Sequence, residues 1–387
     1  MSARSYVEVL KAPGTAPLYA AAFLARIPMM AVPLVLTLLV VEGLGEGYGK
    51  AGLIAALETI GIGLGAPWRG RLLDRLGLRR TIVPSIVAIF VLYPLMVTAD
   101  YVWLMPLAFV SGLFVAPIHS AIRVSLAATL PSSLHRSAFA LDSVMAEGSF
   151  ILGPAAAGVL VVLASPQIAL LSVGGAVAAG LTILWLLDPP TRSDMTTAPP
   201  ERVAGFGWLS PELLMLFVIS GGAMVSLMAM DLGIIAVLRE LDAVALVGVV
   251  YLGWGLSSLV GGLIYGARPA SIRPSVLLFV MGLLTIPVGL AHAPWSLALA
   301  SIPAGLLCAP IMTASSEWIA KLTDEVRRGE AMGWQASAFT VGGALAAPLV
   351  GSAIDHRGAV AGFVVGGGAG VVIALAVIVA QRSAARV

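Results

Sequence analysis

The chain has 387 residues, of which 59% are hydrophobic and only 11% charged, with a formal net charge of +2. Soluble domains carry roughly 25% charged residues, so the composition argues against a water-soluble enzyme and against a nucleic-acid partner, and places the chain in the lipid bilayer. Cys308, the single cysteine, provides neither a disulfide framework nor a thiolate metal cluster.

Apolar stretches of about 20 residues, the length that crosses a hydrocarbon core of about 30 Å as a helix, recur along the whole sequence. Twelve spans are predicted, at 16–41, 48–68, 81–98, 102–123, 138–164, 167–187, 211–237, 243–265, 275–292, 295–320, 331–354 and 358–380. No cleavage-site pattern follows the first, so it reads as a spanning helix rather than a signal peptide.

Span 1 carries Arg26 and span 2 carries Glu58, each about ten residues in and so near mid-depth. Between them, Gly43 to Lys50 imitates a phosphate loop, but Leu44 and Ala51 stand where glycine and Ser or Thr are needed. Spans 2 and 3 are joined by a loop, Gly70 to Arg80, holding Asp74 with Arg71, Arg75, Arg79 and Arg80, and Arg69 just precedes it. Lys and Arg near span ends are retained in the cytoplasm, so this loop and both termini are expected there, in the cell membrane. All Lys and Arg other than Lys50, Arg239, Arg357 and the intramembrane Arg26 then lie on that side.

Span 4 contains His119, which either titrates near neutrality or is a hydrogen-bonded structural residue. Span 5 contains Asp142, Glu147 and the pair Gly153-Pro154, where proline frees a backbone carbonyl and glycine allows close packing. Asp142 is nearer the loop end and is expected to pair with Arg123 or Arg136. The polar stretch Asp188 to Trp208, with Pro189, Pro190, Pro199 and Pro200, reads as a linker. The domains are therefore set at 1–187 and 209–387, with a cytoplasmic connection at 188–208.

In the second half, Asp231 lies toward the outer end of span 7, Tyr251 and Trp254 fall inside span 8, and Glu317 is expected at the interface. Trp68, Trp103, Trp185 and Trp295 near span ends fit an aromatic belt. Gly112-Leu-Phe-Val-Ala-Pro117-Ile returns as Gly305-Leu-Leu-Cys-Ala-Pro310-Ile, and Gly52, Gly65 and Gly70 return as Gly248, Gly261 and Gly266. The sequence thus predicts an all-α membrane protein of twelve transmembrane helices in two six-helix, pseudo-symmetric halves.

The loop residues Gly70, Asp74, Arg75, Gly77 and Arg79 resemble the Gly-x-x-x-Asp-Arg-x-Gly-x-Arg signature of the major facilitator superfamily, with Leu78 in place of a basic residue. The resemblance implies a secondary transporter, with these five residues as a conformational latch at the cytoplasmic side. Gly153-Pro154 resembles the span-5 motif of the drug/proton antiporters in that superfamily, although Ala108 stands where many of them carry arginine. No catalytic residue, metal site or cofactor is expected, and a monomer suffices for this plan.

Ionisable side chains inside a membrane usually face a cavity or a partner. A buried carboxylate responds to desolvation and to nearby cations, so moving its surroundings can load or release a proton. Glu147 is the expected principal proton carrier, with Glu58 as alternate, Arg26 as counter-charge to either and Asp142 as a further candidate. Alternatively these charges are static braces. Trp254, Tyr251, Asp231 and His119 are the cavity candidates. The expected partners are a small-molecule substrate and the proton, with export of a largely apolar compound favoured over uptake by symport or a sensing role.

Overall fold

A computed structural model describes residues 4–191, 208–243 and 246–384. They form fourteen α-helices and no strand among the described residues. The first half contains α1 (Arg4–Lys11), α2 (Thr15–Leu38), α3 (Tyr48–Thr98), α4 (Tyr101–Leu113), α5 (Ile118–Thr129), α6 (His135–Leu163) and α7 (Pro166–Leu187). The second contains α8 (Pro211–Glu240), α9 (Val247–Gly266), α10 (Pro274–Thr285), α11 (Pro294–Gly305), α12 (Cys308–Leu322), α13 (Arg328–Arg357) and α14 (Ala359–Ala384). Most of the expected linker falls on residues 192–207, outside the described residues.

Among the described residues, ten helical stretches are long and apolar enough to cross a membrane. One of them, Lys50–Thr98, is twice the necessary length, and the shorter Pro274–Leu290 supplies another crossing, which gives twelve. The expected loop from Gly70 to Arg80 is instead almost wholly helical. Only Gly77, at φ 73° and ψ 177°, leaves the helix, and that conformation, cheap for glycine alone, lets α3 reverse direction without a loop.

Two spans are broken where the sequence repeats itself. Span 4 is split into α4 and α5 at 114–117, and span 10 into α11 and α12 at 306–307, so both breaks fall inside the repeated Gly-Leu-x-x-Ala-Pro-Ile motif. The contacts repeat as well. Gly65 lies so close to the Leu113 carbonyl that an added Cβ would approach it to 2.6 Å, and Gly261 lies closer still to the Leu306 carbonyl. Gly112 rests on the backbone of Glu58, as Gly305 rests on that of Trp254. Small residues at these four positions let helix backbones touch in a medium where lipid is as apolar as leucine, so close packing holds the helices together.

Gly153 does the same for α6 against α2, since a Cβ there would lie 2.6 Å from the Ile27 carbonyl. The outward faces carry apolar side chains such as Val162, Leu64 and Leu345, all more than 60% exposed. Trp68, Trp103, Trp185 and Trp295 are exposed too.

Candidate functional site

The two halves are clamped together at the end that carries the arginines. Asp74 of α3 accepts the backbone N–H groups of Gly329 and Glu330 at 2.8 Å each, and these belong to the first turn of α13. Those amides have no partner within their own helix, and a carboxylate there also meets the positive end of the helix dipole. Arg71 adds an ion pair to Glu330 at 2.8 Å. Gly70 is pressed so closely on the Gly329 backbone that a methyl group would collide with its carbonyl.

The other expected members of the latch stand apart from this contact. Arg75 is exposed and joins no ion pair among the described residues. Arg79 pairs with Asp188 at 3.2 Å and donates to the Trp185 carbonyl at 2.9 Å, which ties α3 to α7 within its own half. Gly77 shapes the turn. Arg71 occupies an unspecified position of the signature, so no motif could have marked it.

A second clamp joins α6 to α9 and α12. Arg136 forms two hydrogen bonds to the Glu317 carboxylate, at 3.0 and 2.8 Å, and a third to the Arg268 carbonyl at 2.8 Å. Ser137 donates to the Gly266 carbonyl at 2.7 Å, and Tyr6 of α1 donates to the Leu263 carbonyl at 2.6 Å. Burial pushes the Tyr6 phenol up to about 12, so it is a neutral donor in the ordinary pH range. These donors gather on the carbonyl groups of the last turn of α9. Glu317, expected at the interface, is in fact 2% exposed and lies between the halves. A charged side chain near a span end looks interfacial in sequence, and only packing against α6 buries this one.

Deeper in, Arg26 does not pair with Glu58. Its Nη1 lies 2.6 Å from Asp142 Oδ1, and Arg123 Nε holds Asp142 Oδ2 at 3.0 Å. Asp142 is therefore fully buried between two guanidiniums, of which Arg123 is one of the two partners expected for it and Arg26 is an addition. Arg123 also donates to Ser143, at 3.2 Å, and to Ser316 of α12, whose hydroxyl in turn reaches Gln335 of α13 at 3.0 Å. His119, in the first turn of α5, lies within electrostatic reach of Arg26, Asp142 and Arg123 and is partly exposed. Glu58 is buried elsewhere, near the Tyr93 phenol, and makes no ion pair among the described residues.

The third group lies between α6, α8, α9 and α12. Ser258 of α9 donates to Glu147 Oε1 of α6 at 2.9 Å, and its oxygen accepts the Ala309 N–H at 3.2 Å. Ala309 sits at the start of α12, created by the break in span 10, so the positive end of that half-helix is relayed through one hydroxyl to the carboxyl. Tyr251 donates to the Asp231 carbonyl at 2.9 Å and its ring lies 5.9 Å from that of Trp254. Glu147 and Asp231 feel each other's charge, and neither pairs with a cation among the described residues. The structure thus brings Trp254, Tyr251, Asp231 and Glu147 into one group, and His119, Arg26 and Asp142 into another.

The model of the Major Facilitator Superfamily matches residues 18–267, well over half of the chain. No curated protein sequence matches. Among solved structures, the human organic anion transporter MFSD10 (TETRAN) is similar at 16% identity, covering 96% of this chain and 99% of that one with a TM-score of 0.77. A bacterial homologue of the iron transporter ferroportin in an outward-facing state is similar at 14% identity, over 94% and 98% of the chains, with a TM-score of 0.75. The transporter FucP in its outward conformation follows at 13% identity, over 96% and 98%, with a TM-score of 0.68. At these identities the likeness is one of fold.

Proposed function

Because this chain belongs to the Major Facilitator Superfamily and is a multi-pass secondary transporter of small molecules rather than an enzyme, we propose that it couples proton movement to export of a small organic compound by alternating access. The rocking bodies are residues 1–187 and 209–387, joined by a cytoplasmic linker at 188–208, with both termini cytoplasmic in the cell membrane. The clamps at Asp74 and at Arg136 hold the cytoplasmic end shut in the arrangement described here, so the substrate cavity faces outward. The Asp74 contact is the latch proper, with Arg71 in the supporting place that Arg75 was expected to take.

One observation carries the coupling. The Glu147 carboxyl spans the joint between the halves, and among the described residues it accepts from Ser258 and pairs with no cation. Changing its protonation alters a contact between α6 and α9, and so favours one orientation of the halves over the other. Asp142, locked between Arg26 and Arg123, serves as a fixed charge and not as a carrier. Glu58 is the alternate carrier. The Gly153-Pro154 element of α6 supports the antiporter type, because it packs α6 closely on α2.

The test is proton movement in liposomes containing the purified protein, driven by an imposed pH gradient. Glu147→Gln keeps an acceptor for Ser258 and is expected to bind and exchange substrate while losing response to the gradient. An unchanged response would remove Glu147 from the coupling, and co-movement of proton and substrate would make the protein a symporter.

A further inference from the structure

The two half-helices that begin at mid-membrane are related by the internal repeat, yet they are matched to opposite charges. The α12 start faces Glu147 through Ser258, so its positive end is answered by an acid of the protein. The α5 start carries His119 and lies beside Arg26, Asp142 and Arg123, two cations and one anion. Among the described residues, the ion pairs of Arg26 and Arg123 both end on the same Asp142, so one positive charge is left without an answer.

Arg26 has no exposed surface, and its Nε and Nη2 donors have no partner in the structure. Its Nη1 is the one nitrogen engaged, 2.6 Å from Asp142 Oδ1 and donating to the Asp142 carbonyl at 3.5 Å. A guanidinium offers five donors in a fork suited to a carboxylate. Leaving a desolvated cation unneutralised is costly, whereas a helix start and a free arginine edge together form a ready anion cradle. His119 in the first turn of α5 lies within electrostatic reach of that edge.

We infer that the Arg26 guanidinium and the first turn of α5 bind the carboxylate of an organic anion, which makes the transported compound an amphipathic acid with an apolar body. The inference rests on the transport reading above and narrows its substrate class. The Tyr251 and Trp254 rings, 5.9 Å apart, are the aromatic pair assigned to the apolar body.

Equilibrium binding separates the two ideas, because it needs no gradient. Thermal unfolding of the purified full chain is measured with benzoate, benzyl alcohol and benzylamine, which share a ring and differ in charge, and with added sodium chloride. Benzoate alone is expected to raise the midpoint. In Arg26→Gln the apparent affinity for benzoate falls about tenfold or more, as for loss of a charge-assisted hydrogen bond. The ligand-free midpoint of that variant does not fall, because Asp142 and Arg123 remain as a neutral pair. Arg26→Lys, which keeps the charge and loses the fork, retains part of the affinity.

No shift with benzoate, an equal shift in Arg26→Gln, or a ligand-free midpoint well below the parent would each overturn the inference, the last by making Arg26 a structural brace. A chloride shift of equal size that Arg26→Gln abolishes would replace the organic carboxylate by an inorganic counter-ion. Benzoate binding without proton-linked transport would instead overturn the transport reading and leave the cradle standing.

Discussion

The Asp74 carboxylate caps the backbone of Gly329, 255 residues along the chain, with an N–H to oxygen distance of 2.8 Å. One side chain of α3 therefore satisfies the start of a helix in the other half, and the bond exists only while the two halves are closed at this end. Its neighbour Glu330 is held by the second oxygen and by Arg71.

Replacing Asp74 by Asn keeps one acceptor and removes the charge, while Asp74→Ala removes both. A helix cap of this kind contributes about 1 kcal/mol, so the alanine variant is expected to raise the open population about fivefold relative to the closed one. Spin labels at Leu76 and Leu322, both 43% exposed and one on each half, report it as a growing long-distance component. An unchanged distance distribution would show that Asp74 holds nothing closed.

The Arg136 and Glu317 pair is buried to 13% and 2% of side-chain exposure, with Lys321 as a second cation at 2.7 Å. Removing one member of a buried pair costs about 3 kcal/mol when the other charge is left uncompensated, and for Glu317 the remaining Lys321 offsets part of that. Arg136→Met is therefore expected to unfold at markedly lower temperature, and Arg136→Met with Glu317→Gln to recover part of the loss. A double-mutant cycle on thermal unfolding checks this, and additive effects would mean the two residues are uncoupled.

Glycine spacing gives a contrast within one protein. At Gly261 an added Cβ runs into the Leu306 carbonyl, whereas at Gly368 it meets nothing within 4 Å. Gly261→Ala is expected to cost about 2 kcal/mol by overpacking, and Gly368→Ala to be neutral or slightly stabilising through helix propensity. Melting temperatures of the two variants decide it.

Tyr6 links the N-terminal helix to α9 by a hydroxyl that must stay protonated to donate. The fold holds this phenol at about 12, above its ordinary value near 10. The extra stability is therefore complete below pH 10 and is lost as pH rises through 12. Tyr6→Phe lacks the bond and is expected to be less stable by about 1 kcal/mol at neutral pH, with no further loss from this site in alkali. Parallel alkaline unfolding curves for the two proteins would contradict that.

Much of the fold is legible without coordinates, and the reason is the solvent. A bilayer demands a run of about 20 apolar residues for each crossing, so the spans predicted at 167–187 and 211–237 reappear as Pro166–Leu187 and Pro211–Glu240. The repeated Gly-Leu-x-x-Ala-Pro-Ile motif marks a duplicated structure, and its glycines recur in the same contacts. That both copies also break their helix was not legible, since proline and glycine are tolerated within spanning helices.

What the residues by themselves determine is therefore the number of crossings, the repeat, the arginine-rich turn and the presence of charges at mid-depth. Which charges meet is decided only when the helices pack. Arg26 and Glu58 sit at equal depth on successive spans, yet Arg26 goes to Asp142, 116 residues away, and Arg136 finds Glu317 at a separation of 181. In water a hydrophobic stripe tells which face of a helix turns inward. Lipid and protein interior are equally apolar, so that stripe fades here, and the choice of partner is left to the close fit of glycine-lined surfaces far apart in the chain.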